Sequence, residues 1–419
     1  MYMKSVYLDN AATTPVNLKV VSAMHPYFTR IFGNPSSPHA LGEAAQKAMQ
    51  DARRMLAKGI GAQPWEIVFT SGGTEANNLA ISGITRAESV RKKIIISAIE
   101  HSSVWELVEL LKNKGYTIED FEKPQSPLSN RFETKRIFDS RGAQKSAISD
   151  DPRGTSKLEG YSKLSIVIIP VTREGIVNYD VLEHEIDAET LLVSIIHVNN
   201  EIGTIQDIAR IGALCHAKGA YFHTDAVQSF GKLPIDVKKF NIDLMSASAH
   251  KIGGPKGIGL LYIRENIPIR PLIVGGGQER RMRGGTENVA SIVGFAKANE
   301  ITKKLSTTKV KSSRDKLLQE LEKLGGIPNS PSEQCIYTTI NIHFPNVDAD
   351  LLVMKLSHLG VYCSTRSACL SKQKEENRIL GAIGLSNVVQ KSSLRLTLHT
   401  PLTAREQKQA VRAFKIALS

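Results

Sequence analysis

The sequence predicts an α/β protein: a doubly wound, mostly parallel sheet, followed by a smaller α+β part. Three observations carry this. Short apolar runs bounded by turn residues recur between about residues 64 and 263, as buried parallel strands require. Helix-patterned stretches lie between them, which is the alternation of a doubly wound sheet. At 419 residues the chain is too long for one simple core, and its pattern changes after about residue 270.

The expected strands are WEIVFT (65–70), KIIISAI (93–99), LLVSIIHV (191–198), AYFHTDA (220–226), IDLMSASA (242–249) and GIGLLYI (257–263). TEANNLAISGITRA and DIARIGALCHAKG have helical spacing between them. Residues 122–163 break the pattern. They are polar, rich in Ser, Pro and charge, and cannot bury enough surface to offset the entropy of ordering them. They read as a flexible insertion between two strands, either without a role or serving as a partner-binding arm. Beyond residue 270, helices are expected at 288–305, 311–324, 349–358 and 402–418. Strands are expected at 337–344, near Val361 and at 394–399.

Composition excludes several classes. No run of about 18 apolar residues is present, so no membrane span is expected. The start, MYMKSVYLDNAATTP, lacks the apolar core of a signal peptide, which points to a cytoplasmic protein with reduced thiols. Its cysteines, Cys215, Cys335, Cys363 and Cys369, form no CxxC pair and so give no zinc signature. Of these, Cys215 reads as packed in a helix, Cys335 as linker and Cys363 as a buried strand residue. The net charge of +13 admits an anionic partner, but the charges are spread and no RNA-binding aromatic signature accompanies them. Direct nucleic-acid binding is therefore not expected.

The chemistry starts at SASAHKIGGPKG (246–257), where Lys251 stands at a strand end among glycines. A lysine amine there can bond covalently to an aldehyde on a flat cofactor. In VFTSGGTEANNLAI, Gly73 and Thr74 open a helix whose free N–H groups suit a phosphate, or else form an ordinary helix cap. In HTDAVQ, Asp225 can pair with a protonated pyridine nitrogen, with Gln228 one turn on, or it can cap a helix. His101, in AIEHSSV, can stack on a flat ring and move protons, or be structural. Asn200, in HVNNEIG, can meet a phenolic oxygen or make a turn. All follow carboxyl ends of predicted parallel strands, the edge where such sheets bind ligands.

Taken in order, YLDNAATTP, GNPSS, FTSGGTEANN, EHSSV, HVNNEIG, HTDAVQ, SAHKIGGPKGIG, GGGQERRMRGGTEN and SACLS resemble the motifs of the cysteine desulfurases. These are pyridoxal-phosphate enzymes of fold type I in the class V aminotransferase group. The resemblance spans nearly all of the chain except 122–163. It implies a mostly parallel seven-stranded sheet in a large cofactor-binding domain (15–262), with residues 1–14 and 263–419 forming the small domain. Lys251 resembles the cofactor-bonding lysine, and Gly73, Thr74, Ser248 and His250 resemble phosphate ligands. His101 resembles the ring-stacking residue and Asp225 the partner of the pyridine nitrogen. Asn200 and Gln228 resemble groups at the phenolic oxygen. Thr286 resembles a phosphate ligand given by a neighbouring subunit, implying a homodimer. Arg395 and Asn34, with Asn200, resemble holders of the substrate carboxylate, a task suited to a guanidinium fork. Cys369, in STRSACLSKQ, resembles the catalytic thiol on a long loop, as in the housekeeping and nitrogen-fixation branch.

The resemblance implies conversion of L-cysteine to L-alanine, with sulfur passed through Cys369 to an iron–sulfur scaffold or a tRNA-thiolation enzyme. The insertion at 122–163 departs from the family pattern. So does Arg366, which stands where a small glycine is common; a cation there would lower the Cys369 pKa. A selenocysteine lyase or cysteine lyase of the same fold would need no persulfide on Cys369. A non-catalytic sulfur-relay or RNA-associated protein would show a damaged site, whereas Lys251, Asp225 and Cys369 are all present.

Overall fold

The computed structural model describes residues 5–88, 90–113, 117–120, 164–365 and 377–419. The whole of the insertion at 122–163, together with Arg366 and Cys369, lies outside the described residues. In chain order the strands are β1 Val6–Tyr7, β2 Ile67–Thr70, β3 Lys93–Ser97, β4 Thr117–Asp120, β5 Ser165–Ile169, β6 Thr190–Ser194 and β7 Tyr221–Asp225. They continue as β8 Leu244–Ser248, β9 Gly259–Ile263, β10 Ile327–Pro328, β11 Thr339–His343, β12 Val361–Tyr362 and β13 Ser393–Thr397.

The central sheet runs β2-β9-β8-β7-β6-β3-β5-β4. Only β9 opposes its neighbours; every other pairing is parallel. Seven strands match the expected sheet, and the short β4 adds an eighth at the edge, leading into the insertion. Strand β5 is not among the runs picked out in the sequence, although its SIVII is as apolar as theirs.

Side chains alternate between two apolar cores, one on each face. Ile95, Val167, Ile169, Val193, Phe222 and Met245 pack on one side with helices Ala40–Lys58 and Val289–Thr302. Ile94, Ile96, Ile166, Ile168, Leu192 and Leu244 pack on the other with helix Gly73–Ala87. Burial on both faces is why these strands read as continuous apolar runs. Cys215 lies in the first core, as expected.

Two strand starts differ from expectation. WEIVFT begins as a 3₁₀ turn, because Pro64 follows Gln63 in a capping box closed by Glu66; β2 starts only at Ile67. Residues 242–243 stay outside β8 because Asp243 turns its carboxylate back to the Phe222 amide, 2.8 Å away.

A third core holds the antiparallel sheet β10-β11-β13 under helices Thr307–Lys323, Ala349–His358 and Ala404–Leu418. Val6 and Leu8 pack into it, and β1 pairs with β12. The basic helix starts at Thr307 rather than 311, since Ser306 caps it. Cys363 directly follows β12 and is only partly buried.

One buried ion pair shapes the rim of the central sheet. Arg53 reaches Glu279 with two bonds of 2.5 and 2.8 Å, and the Ile67 carbonyl at 2.7 Å. Glu279 also accepts from the Phe69 amide at 2.8 Å. The pair holds a run of three non-glycine residues, Glu279, Arg280 and Arg281, in the left-handed region at φ 45°, 56° and 66°. Replacing Glu279 by Ala strands a guanidinium in the interior, so unfolding free energy should fall by about 3–5 kcal/mol. Urea titration measures this; a fall below about 1 kcal/mol would show that the pair is not what holds the rim.

Candidate active site

The parallel strands end at one edge, and the polar residues that follow them converge on a cavity of about 200 Å³. Gly73, Thr74, His101, Asn200, Asp225, Gln228, Ser248, His250, Lys251 and Arg395 all line it. Thr286 and Asn34 do not. Thr286 is exposed in a separate concavity with Ser71, Gly257 and Arg283. Asn34 is exposed, its side-chain oxygen accepting from the Ser36 amide at 2.9 Å.

Lys251 sits in a 3₁₀ turn directly after β8. Its amine donates to the carbonyls of Ala11 and Ala12 at 2.5 and 2.8 Å. Asp225 ends β7. Its Oδ1 accepts from the Val227 amide at 2.9 Å and its Oδ2 from Asn77 at 2.7 Å. Gln228 donates to the Ala11 carbonyl at 3.1 Å. Arg395 is 1% exposed, ion-paired to Asp9 at 2.8 Å and bonded to the Asn200 carbonyl at 3.1 Å.

Burial and nearby cations keep the imidazoles neutral. His250 is pushed down to about 4 by burial, with Lys251, Lys256 and Lys232 adding to it. Burial also lowers the His101 pKa, against the pull of Asp225 and with help from Lys251, Arg378 and Arg395. Burial raises Cys363 to about 12, with Asp9 adding, so this thiol is not held as a thiolate.

The residues fit pyridoxal phosphate. The Ser248 hydroxyl is buried without a partner among the described residues, beside the start of helix Gly73–Ala87. A Cβ on Gly73 would stand 2.5 Å from Val227 Cγ2, so only glycine lets this helix start come so close. An unpartnered hydroxyl at a helix N-terminus is a phosphate cradle. The buried Asn200 Oδ1 and Arg395 Nε likewise have no partner among the described residues, leaving a polar lining for a ring oxygen and a carboxylate.

Several site residues escape the sequence reading. Ala11 and Ala12 act through backbone carbonyls, which no side-chain pattern reveals. Asn77 stands one turn after Gly73, so helical spacing from the phosphate-binding glycine could have found it. Ser103 lies two residues after His101 and bonds its ring. Glu100 is fully buried: Oε1 accepts from the Ser97 hydroxyl and, at 2.9 Å, from the Ile196 amide, while Oε2 has no partner among the described residues.

Three comparisons place this architecture among known proteins. The family model described as aminotransferase class-V matches residues 6–134 and 155–404. Its break falls inside the polar segment 122–163. Proteins named cysteine desulfurase IscS match over nearly all of the chain. The one from Methanosarcina thermophila is 39% identical over 94% of this chain and 87% of its own length. The one from Dictyoglomus turgidum is 38% identical over 94% and 90%. A solved structure of a NifS-like protein superposes with a TM-score of 0.82 at 33% identity, covering 98% of this chain and 99% of that one.

Burial pushes the Glu100 carboxyl up to about 8, with Asp225 adding to the rise. In the unfolded chain this group loses its proton from about 4.5 upward, whereas the folded protein keeps it until about 8. The unfolded state therefore binds fewer protons between these values, and stability falls as pH rises through this window. Glu100→Gln should flatten that fall by several kcal/mol, read from urea midpoints between pH 5 and pH 9. An unchanged slope would mean that Glu100 ionises normally.

Proposed function

Because the chain belongs to the aminotransferase class-V family and is a pyridoxal-phosphate-dependent cysteine desulfurase, we propose a specific division of labour among its residues. The observation that carries it is the convergence of Lys251, Asp225, His101 and Arg395 on one cavity.

Gly73, Thr74, Ser248 and His250 hold the phosphate, His101 lies on the ring, and Asp225 meets the ring nitrogen. Asn200 and Gln228 face the phenolic oxygen. Bound pyridoxal phosphate supplies an aldehyde that takes up an amine and a protonated ring that accepts an electron pair. Arg395 holds the carboxylate of L-cysteine, with Asn200 and Asn34 as further contacts. The Ala11 and Ala12 carbonyls hold the Lys251 amine at the cavity wall, where it would bond the cofactor's aldehyde; once substrate has released it, the same amine takes the α-proton. The Cys369 thiolate bonds to the substrate sulfur as the carbon–sulfur bond breaks, leaving a persulfide. The electron pair of the broken bond stays with the three-carbon fragment, which takes one proton at its β-carbon, takes the α-proton back from Lys251 and leaves as alanine. Arg366 stabilises the thiolate.

The working unit is a homodimer in which Thr286 serves the partner's phosphate. In one chain Thr286 is exposed and outside the cavity, and Phe28, Phe32 and Val274 are 61%, 63% and 82% exposed, apolar surface that a second copy would cover. The sulfur acceptor is a protein of iron–sulfur cluster assembly or tRNA thiolation. No described helix is long and apolar enough to cross a membrane.

The holoenzyme given L-cysteine and a thiol reductant should release alanine and sulfide in equal amounts. Cys369→Ala should lower alanine release at least about 100-fold while leaving the bound cofactor's absorption intact. Undiminished alanine release from that variant would instead indicate a lyase that needs no persulfide.

A further inference from the structure

Four side chains around the cavity form one hydrogen-bonded line. Asn77 Nδ2 donates to Asp225 Oδ2 at 2.7 Å and to Ser103 Oγ at 2.8 Å. Ser103 Oγ lies 2.8 Å from His101 Nδ1, and the Ser103 backbone amide donates to the same nitrogen at 3.1 Å. Asn77, Ser103 and Asp225 are all buried.

The direction of every proton follows from the carboxylate end. A carboxylate only accepts, so the amide group of Asn77 must turn its NH₂ to Asp225; the flipped amide would set oxygen against oxygen. The second hydrogen of that NH₂ goes to Ser103 Oγ. Ser103 then accepts from Asn77, and its own O–H is left for His101 Nδ1. Nδ1 therefore receives two donors, and its lone pair is committed. In a neutral imidazole the ring proton must then sit on Nε2. Burial together with the charges of Lys251, Arg378 and Arg395 favours that neutral ring. Nε2 has no partner among the described residues, and His101 lines the cavity.

We propose that Asn77 and Ser103 are positioning residues that relay the hydrogen-bonding demand of Asp225 to His101 and fix it as the Nε2–H tautomer, so that the ring presents a proton, not a lone pair, to the cavity. This rests on the desulfurase roles of Asp225 and His101 given above. A ring in this form gives a hydrogen bond or its proton at Nε2 and cannot take one there until it has given one. Abstraction of the α-proton then falls to Lys251, and His101 is the donor of the pair. One carboxylate thus serves two ends of the site: it faces the ring nitrogen directly and sets the proton on the stacked imidazole through two neutral side chains.

Solid-state ¹⁵N NMR of the holoenzyme labelled in its histidine side chains reads the tautomer directly, with His101 signals identified by their loss in His101→Gln. The expected spectrum shows Nδ1 unprotonated and Nε2 protonated. Ser103→Ala leaves only the backbone donor and should move the tautomer ratio about fivefold towards Nδ1–H, the effect of one hydrogen bond. In that variant kcat should fall in proportion to the Nε2–H fraction lost, with KM unchanged, and Ser103→Thr, which keeps the hydroxyl, should restore both. Asn77→Leu tests the relay from its other end and should shift the ratio in the same direction. A native Nδ1–H or doubly protonated ring overturns the proposal. So does a Ser103→Ala enzyme with native tautomer and native kcat. Native alanine release alongside the wrong tautomer would remove the relay and leave the desulfurase reading standing; the right tautomer without alanine release would do the reverse.

Discussion

The cavity exists because residues Asp9–Thr14 are pinned between two parts of the fold. On one side, Ala11 and Asn10 bond to Thr397 of β13 at 2.7 Å each, and Asp9 pairs with Arg395. On the other, Thr14 accepts from the Gly253 amide at 2.7 Å and donates to the His250 carbonyl at 2.8 Å, gripping the turn that holds Lys251. Between these anchors the carbonyls of Ala11 and Ala12 have nowhere to turn but inward. They meet the Lys251 amine there, and Ala11 also meets Gln228. A few backbone atoms near the start of the chain thus join the antiparallel sheet, the strand edge and the reactive amine.

The site's electrostatics follow from the same crowding. Cationic groups gather at the carboxyl edge of the sheet, and burial leaves them little water. Lys232, behind Gln228, is pushed down to about 7 by burial and by Lys251, and His399 is pushed down to about 4 by burial and by Lys232. These neighbours yield their protons, while the acidic residues, Asp225 and Asp9, meet fixed donors. A cavity arranged in this way suits a dianionic phosphate and a carboxylate, and its neutral imidazoles can stack on a ring without repelling a cation.

The sheet was legible because both of its faces are buried, so its strands are apolar throughout. Lys251, Asp225, Gln228, His101, Asn200, Gly73 and Thr74 were legible because they stand at or soon after the ends of such strands, whereas Ser248, His250 and Arg395 were named through family resemblance. What stayed hidden acts through the backbone or at long range. Ala11 and Ala12 have no functional side chain to notice. The Arg53–Glu279 pair links residues more than two hundred positions apart. Ser103 stands in the first turn of helix Ser102–Asn113, where a serine draws no notice, and its contact with the His101 ring comes only with the fold. Thr286 and Asn34 could be named only through family resemblance, because nothing in a single chain draws them to the cavity.

The central claim is that the geometry at Ala11 and Ala12 selects Lys251 as the amine that bonds the cofactor. Lys232 is a real competitor, since it is a half-buried lysine with Nζ 3.4 Å from Gln228 Oε1. Borohydride reduction of the holoenzyme, followed by peptide mass spectrometry, locates the bonded amine. The account predicts the cofactor's mass on the peptide containing Lys251 and an unmodified Lys232. An adduct on Lys232, or an unmodified Lys251 in cofactor-bearing protein, would contradict it.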